Sequence, residues 1–199
     1  MIYRNLIDLE QNTKLKEYVE LLLNWNKRMN LIGKSTEPDI WNRHILDSAQ
    51  LMNLLEKNDI NYSSCVDIGT GAGLPGIVLS ILEVKNMVLI EKSPLKCNFL
   101  KEAKKISENN VEIINDAIEN VGNRRFDIVF SRALADLSKL LGYSVKLLKP
   151  GGKCIFLKGK RLEEELFVAK KLYDFEYVMK RSLTSEEGTI ILIKNIQIK

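Results

Sequence analysis

The chain has 199 residues, 45% of them hydrophobic and 28% charged, with a formal net charge of +4 and a pI near 8.8. That length supports one well-buried core with at most a small appendage, and the balance is ordinary for a globular protein. No apolar run approaches the roughly 18 residues that a membrane-spanning helix needs, and Asp8 places an acid too early for a secretory leader. Cys65, Cys97 and Cys154 are far apart and odd in number, which predicts reduced, buried thiols in a cytoplasmic protein and not a disulfide framework. His44 is the only histidine, which removes most metal sites and any two-histidine acid–base scheme. The modest positive charge is compatible with a polyanionic partner without demanding one.

In chain order, residues from about 13 to 56 read as helical. Leu15, Tyr18/Val19, Leu22/Leu23 and Trp25/Met29 recur at helical spacing and make one apolar stripe. Ser35-Thr36-Glu37-Pro38 supplies cap chemistry and a first-turn proline for a second helix running to about Glu56. On it, Arg43, Asp47 and Gln50 share a face, while Ile45, Leu46 and Ala49 turn inward. From Ser64 onward the pattern alternates, with strands near 64–68, 87–91, 111–114, 126–130 and 153–157 and helices near 75–83, 94–108, 136–148 and 161–172. This alternation predicts βαβ units and a parallel sheet covered on both faces. Phe175–Met179 and Thr189–Ile193 add two strands around a polar loop, a closing pair typical of class I methyltransferases. The expected architecture is therefore α/β, a Rossmann-like, mostly parallel seven-stranded sheet. Residues 1–60 would form a helical extension packed on the sheet domain, 61–199, as one structural unit.

The chemistry concentrates in Val66-Asp67-Ile68-Gly69-Thr70-Gly71-Ala72-Gly73-Leu74-Pro75-Gly76. A short apolar strand meets an acid, then a glycine-dense turn, then a proline suited to open a helix, which makes a nucleotide-shaped crevice at a strand's carboxyl end. The turn formally satisfies the dinucleotide pattern, but that pattern alone is weak. No Gly-Lys-Ser/Thr follows to make a phosphate loop. Asp67 is placed to accept hydrogen bonds from a cationic amino group, where a pyrophosphate would be repelled. Met87–Glu91 reads as the next strand, ending in a carboxylate 22 residues beyond Gly69, a spacing that suits a ribose-hydroxyl acceptor. The competing reading of Glu91 is a solvated strand-end charge. Together the acid-first turn and the strand-end acid favour S-adenosylmethionine over NAD.

Several further segments occur in a telling order: Asn30-Leu31-Ile32, Arg43-His44-Ile45-Leu46-Asp47-Ser48, the Gly69–Gly76 turn, Ser131-Arg132-Ala133, Leu148-Lys149-Pro150-Gly151-Gly152 and Leu157-Lys158-Gly159. Over nearly its whole length the chain resembles the RsmG family, also called GidB, bacterial methyltransferases acting on N7 of a guanine in 16S ribosomal RNA. Lys-Pro-Gly-Gly before a strand is common to many methyltransferases, whereas the other blocks together are much more specific. Glu91 stands where many relatives have aspartate, and either carboxylate can accept from ribose hydroxyls.

The resemblance implies that S-adenosylmethionine is lined by Gly69, Leu74, Ile118, Glu119 and Arg132, to which the glycine turn itself adds Asp67, Gly71, Gly73 and Glu91. Glu119 could equally be a first-turn carboxylate balancing a helix dipole, and Arg132 a structural ion-pair partner. Arg43, His44, Arg132, Lys158 and Lys160 are the candidates to face RNA; for Arg43 and His44 the alternative is a helix docked through buried polar contacts. Guanine N7 has an exposed lone pair and no proton to remove, so positioning suffices and no residue is singled out as catalytic. The expected partner is 16S ribosomal RNA or the small subunit, with no membrane, no metal and a monomeric state. The competing functions are a methyltransferase for small molecules, an NAD-dependent oxidoreductase, and a noncatalytic RNA-binding assembly factor.

Overall fold

The computed structural model describes residues 7–57, 60 and 62–199. The first helix, α1 (Leu9–Asn26), starts on a capping box in which Asp8 accepts from Gln11 N–H and the Gln11 side chain accepts from Asp8 N–H. The next helical stretch is less regular than its sequence predicts. Pro38 lies within a 3₁₀ segment, Lys34–Asp39, and a π-helical turn, Trp41–Leu46, leads into α2 (Asp47–Lys57). A proline has no N–H for a regular helical ladder, and the wider turn that follows carries Arg43 and His44.

The remaining elements alternate: β1 (Cys65–Ile68), α3 (Gly76–Ile81), β2 (Asn86–Ile90), α4 (Pro94–Ala103), β3 (Asn110–Ile114), β4 (Phe126–Arg132), α5 (Leu137–Leu147), β5 (Leu148–Lys158), α6 (Leu162–Leu172), β6 (Tyr173–Arg181) and β7 (Thr189–Ile198). They form one seven-stranded sheet in the order β3-β2-β1-β4-β5-β7-β6. The first five strands pair in parallel; β7 runs antiparallel to both β5 and β6. Because β2 and β4 flank β1 while the chain runs outward in both directions, the switch point falls at the carboxyl ends of β1 and β4, where open α/β sheets bind ligands. Pro75 stands at the N-cap of α3 and not within its first turn, and β5 begins five residues earlier than the 153–157 stretch, taking in Lys149-Pro150-Gly151-Gly152.

Alternation along β1 sends Val66 and Ile68 to the face covered by α5 and α6, and Cys65 to the face covered by α1–α4. Leu15, Tyr18 and Leu22 of α1 share that second core with Ile77 of α3 and Phe99 of α4. The one acid in β1, Asp67, points to the same side as Cys65 and lies beneath the start of α3. No described helix is long and apolar enough to cross a membrane.

Candidate active site

The glycine turn after β1 is held from three sides. From below, Asp67 Oδ2 accepts from Thr70 Oγ1 at 2.5 Å and from Gly76 N–H at 2.9 Å. From β2, Glu91 accepts from Gly71 N–H at 3.0 Å through Oε2 and from Ser93 N–H at 2.9 Å through Oε1. From α1, the buried Tyr18 hydroxyl donates to Ala72 C=O at 2.6 Å. Gly71 has φ of 59°, a left-handed conformation that favours glycine, and a Cβ there would enter open space. The result is a half-buried main-chain bend at Gly69 and Gly71 with the buried Glu91 carboxylate at its shoulder.

Two residues of the turn differ from their expected roles. Asp67 is wholly buried, with Oδ2 given to the turn and Oδ1 enclosed without a hydrogen-bond partner. It braces the loop from beneath instead of presenting a carboxylate to a cationic amino group, and burial pushes its pKa up to about 7. Gly73 donates its N–H to Thr70 C=O, and a Cβ on it would strike Ile77 and Leu100. It is a packing glycine, required because α3 and α4 come close. Leu74 likewise buries its side chain in the core, and its N–H donates to Thr70 C=O at 3.2 Å.

Around the turn, Asn115 Nδ2 donates to Glu91 C=O at 3.0 Å and so ties the end of β3 to that of β2. Beyond β3, Ile118 packs partly buried against the α5–α6 core. Glu119 is exposed, and its pKa is held down by its own backbone N–H and by the Tyr143 hydroxyl, which donates to it at 3.0 Å. Beyond β4, Ala133 has φ of 54°, a conformation costly for a residue with a Cβ. The bend brings Leu134 back over the turn, where a Cβ on Gly69 would collide with it.

On the β5–β7 side of Leu134 a cleft of about 700 Å³ opens, lined by Arg43, Arg132, Lys160 and Arg161 and also by the carboxylates of Asp47, Asp136 and Glu187. Arg132 is mostly enclosed and forked: Nη1 donates to Arg43 C=O at 3.1 Å and to Asp47 Oδ2 at 3.4 Å, and Nη2 to His44 Nδ1 at 3.0 Å. A guanidinium only donates, so His44 Nδ1 accepts and the imidazole is the neutral Nε2–H tautomer. Nε2–H then donates to Thr36 Oγ1 at 2.7 Å, and the Thr36 hydroxyl donates in turn to Gly33 C=O at 2.7 Å. Burial first, then Arg132 and Arg43, push the His44 pKa down to about 4. Lys158 is not the free cation that its sequence position suggests. Its ammonium donates to Ala135 C=O at 2.8 Å and pairs with Glu165 at 2.5 Å, and that carboxylate also caps α5 at Leu137 N–H. It is a buried fastener between β5, α5 and α6, whereas Lys160, exposed at the rim, remains available to a polyanion.

The family model for GidB, rRNA small subunit methyltransferase G, matches residues 11–193. The chain belongs to that family. Among curated relatives, a ribosomal RNA small subunit methyltransferase G of Paramagnetospirillum magneticum is 38% identical over 190 residues, covering 96% of this chain and 91% of the relative. That of Rickettsia akari is 42% identical over 183 residues, with 92% and 93% covered. The fold is shared more widely. A ribosomal protein L11 methylase from Lactobacillus delbrueckii superposes with a TM-score of 0.60 at 18% identity, over 74% of this chain and 77% of that one. The N-methyltransferase NodS from Bradyrhizobium japonicum does so with a TM-score of 0.53 at 15% identity, over 74% and 92%.

Within this GidB-family chain the structure brings Gly71 and Glu91 into contact, and Arg43, His44 and Arg132 into one cluster. Two contributors were not legible as site residues. Tyr18 reads as one apolar position among several in a helical stripe, and only its hydroxyl, beyond the reach of a periodicity argument, marks it. Thr184 lies in a loop that is merely polar in sequence, yet it is buried and donates to Asp47 Oδ1 at 2.7 Å.

Proposed function

We propose that this chain transfers the methyl group of S-adenosylmethionine to N7 of a guanine in 16S ribosomal RNA. The observation that carries the reading is the adjacency of two surfaces at one switch point: an open glycine bend with a carboxylate shoulder, and a cleft rimmed by arginine and lysine. The first suits an adenosine with a short amino-acid tail. The main chain at Gly69, Gly71 and Leu74 would lie along it, Glu91 has lone pairs left for ribose hydroxyls, Ile118 and Glu119 would border the adenine, and Arg132 stands between cofactor and cleft. When bound, S-adenosylmethionine supplies a sulfonium-activated methyl group.

The residues of the chain then need only position the base. Guanine N7 carries no proton, so no general base is required, and neutral His44, already occupied at both nitrogens, serves as a support and not as a proton acceptor. Arg43, Arg132 and Lys160 would hold phosphate or guanine O6, with His44 supporting the wall beside them. Family membership and the basic residues of the rim favour RNA over a small metabolite, and the reading places the enzyme in the cytoplasm as a monomer. The test is transfer from labelled S-adenosylmethionine to small subunits, naked ribosomal RNA and a metabolite extract, followed by nucleoside analysis. Label in 7-methylguanosine from the RNA samples is the expected result; label confined to metabolites overturns it.

A further inference from the structure

The cleft has two walls that come from distant parts of the chain, and a single carboxylate joins them. One wall is Arg132 at the end of β4. The other is the turn from Ser182 to Gly188 between β6 and β7. Asp47, at the start of α2, reaches both: Oδ2 accepts from Arg132 Nη1, while Oδ1 accepts from Thr184 Oγ1 at 2.7 Å and from Ser182 Oγ at 3.4 Å. Gln50, one turn along α2, completes the anchor. Its Nε2 donates to Asp47 Oδ1 at 2.9 Å and to Ser182 Oγ at 3.0 Å, and its Oε1 accepts from Leu183 N–H at 2.8 Å. Asn42 adds a bond to Thr184 C=O at 3.2 Å.

This arrangement is more than a helix docked on a sheet. The apolar residues Ile45, Ala49 and Met52 already fasten this stretch to the core, whereas the side chains of Asp47 and Gln50 bond to the two cleft walls. Asp47 is half-buried and fully used, with donors on both oxygens and a cation on one. Removal of its carboxylate would release Arg132 towards His44 and Arg43 alone and would take away the Asp47 acceptor of the Thr184 hydroxyl.

We propose that Asp47 is the positioning residue of this cleft, holding Arg132 and the Ser182–Gly188 turn at one fixed separation so that both engage the RNA segment bearing the target guanine. The inference rests on the RNA reading above and adds the turn to the substrate surface. The test is a set of variants, Asp47→Ala, Asp47→Asn, Thr184→Val and the double variant Asp47→Ala/Thr184→Val, assayed for methyl transfer to small subunits. S-adenosylmethionine affinity by calorimetry and thermal melting serve as controls.

The expected result for Asp47→Ala is a KM for the subunit raised about tenfold, the scale of one lost charge-assisted hydrogen bond. The change should fall on KM far more than on kcat, with cofactor affinity unaltered. Thr184→Val should show a smaller rise, and the double variant should be no worse than Asp47→Ala, because both act through one carboxylate. Asp47→Asn, which keeps an acceptor for one wall but cannot serve both, should fall between. Additive effects in the double variant, a KM unchanged in folded Asp47→Ala, or parallel losses of cofactor affinity would overturn the proposal. If Asp47→Ala fails to fold, Thr184→Val and Asp47→Asn still decide it by the same KM criterion. Wild-type protein that transfers no label to subunits or RNA defeats the functional reading itself, a result distinct from any ranking among variants.

Discussion

The glycine turn and the cationic cleft lie side by side, yet they are held by different kinds of bond. The turn is fixed through main-chain groups: Gly71, Ser93 and Gly76 N–H point into two carboxylates, and Ala72 C=O receives Tyr18. Most of its parts come from one stretch of sequence around β1 and β2. The cleft is fixed through side chains, Arg132 to His44 and Asp47, and Asp47 to Thr184, across spans of 85 to 137 residues. Main-chain donors survive most side-chain substitutions, so the turn is vulnerable chiefly at the side chains that meet it, Asp67, Glu91 and Tyr18, and at its glycines. Each side chain of the cleft network is a single point of failure, and one of them titrates.

The contrast breaks most sharply at Glu91. Glu91→Ala removes the acceptor for two main-chain donors at once, each worth about 1–3 kcal/mol when left unpaired. S-adenosylmethionine affinity, read by calorimetry, should fall by roughly a hundredfold or more on that scale, while circular dichroism still reports a folded protein. Gly71→Val should act on the same affinity by filling the open space beside the bend. Retention of affinity in both folded variants would remove the cofactor from this turn.

The second effect is pH dependence, in which the two regions oppose each other. His44 has its pKa pushed down to about 4 in the folded protein, against about 6.5 unfolded. Between those values the unfolded chain binds a proton that the folded one refuses, so this group's contribution is complete above about pH 6.5 and is lost as the pH falls towards 4. Asp67 runs the other way. Raised to about 7 by burial, it favours the folded state most below about pH 4 and progressively less as the pH rises through 7. Urea denaturation across this window should show His44→Gln gaining on wild type as the pH falls, and Asp67→Asn gaining as it rises. Curves that stay parallel for His44→Gln would contradict the neutral, buried imidazole. The rate of methyl transfer should show no histidine limb near pH 6.5.

Tyr18→Phe comes next. Deleting one hydroxyl leaves Ala72 C=O without its buried donor and should reduce unfolding free energy by about 1–2 kcal/mol, with a parallel loss of cofactor affinity because the turn loses its third support. A stability loss with unchanged affinity would mean that α1 anchors the core but not the turn. The smallest effect separates two neighbouring lysines. Lys160→Gln should reduce the salt dependence of RNA binding by about one phosphate contact, a slope change of roughly 0.9 or less. Lys158→Met should leave that slope unchanged and alter stability instead, because its charge is already matched by Glu165. A slope change in Lys158→Met would return that lysine to the RNA surface.

Much of this organisation is legible in the chain itself. The period of apolar residues marks each strand and helix, because a sheet covered on both faces needs continuous apolar strands and helices with one apolar stripe. The glycine turn is equally local: left-handed φ at Gly69 and Gly71 requires residues without a Cβ, so the letters announce the bend. Glu91 falls at the next strand's end, and parallel pairing in register with β1 carries it to the turn. What local pattern could not reveal is which polar atom meets which. Asp67 and Gly73 look like ligand residues because they stand in a ligand motif, but strand alternation buries the one and helix packing claims the other. Lys158 and Lys160 are two positions apart and alike in charge. Only the arrival of α6, which brings Glu165, makes the first a fastener and leaves the second at the rim. The shared hold of Asp47 on Arg132 and Thr184 depends on β4, α2 and the β6–β7 turn meeting at one edge of the sheet. That convergence is a property of strand order, which short-range spacing does not encode.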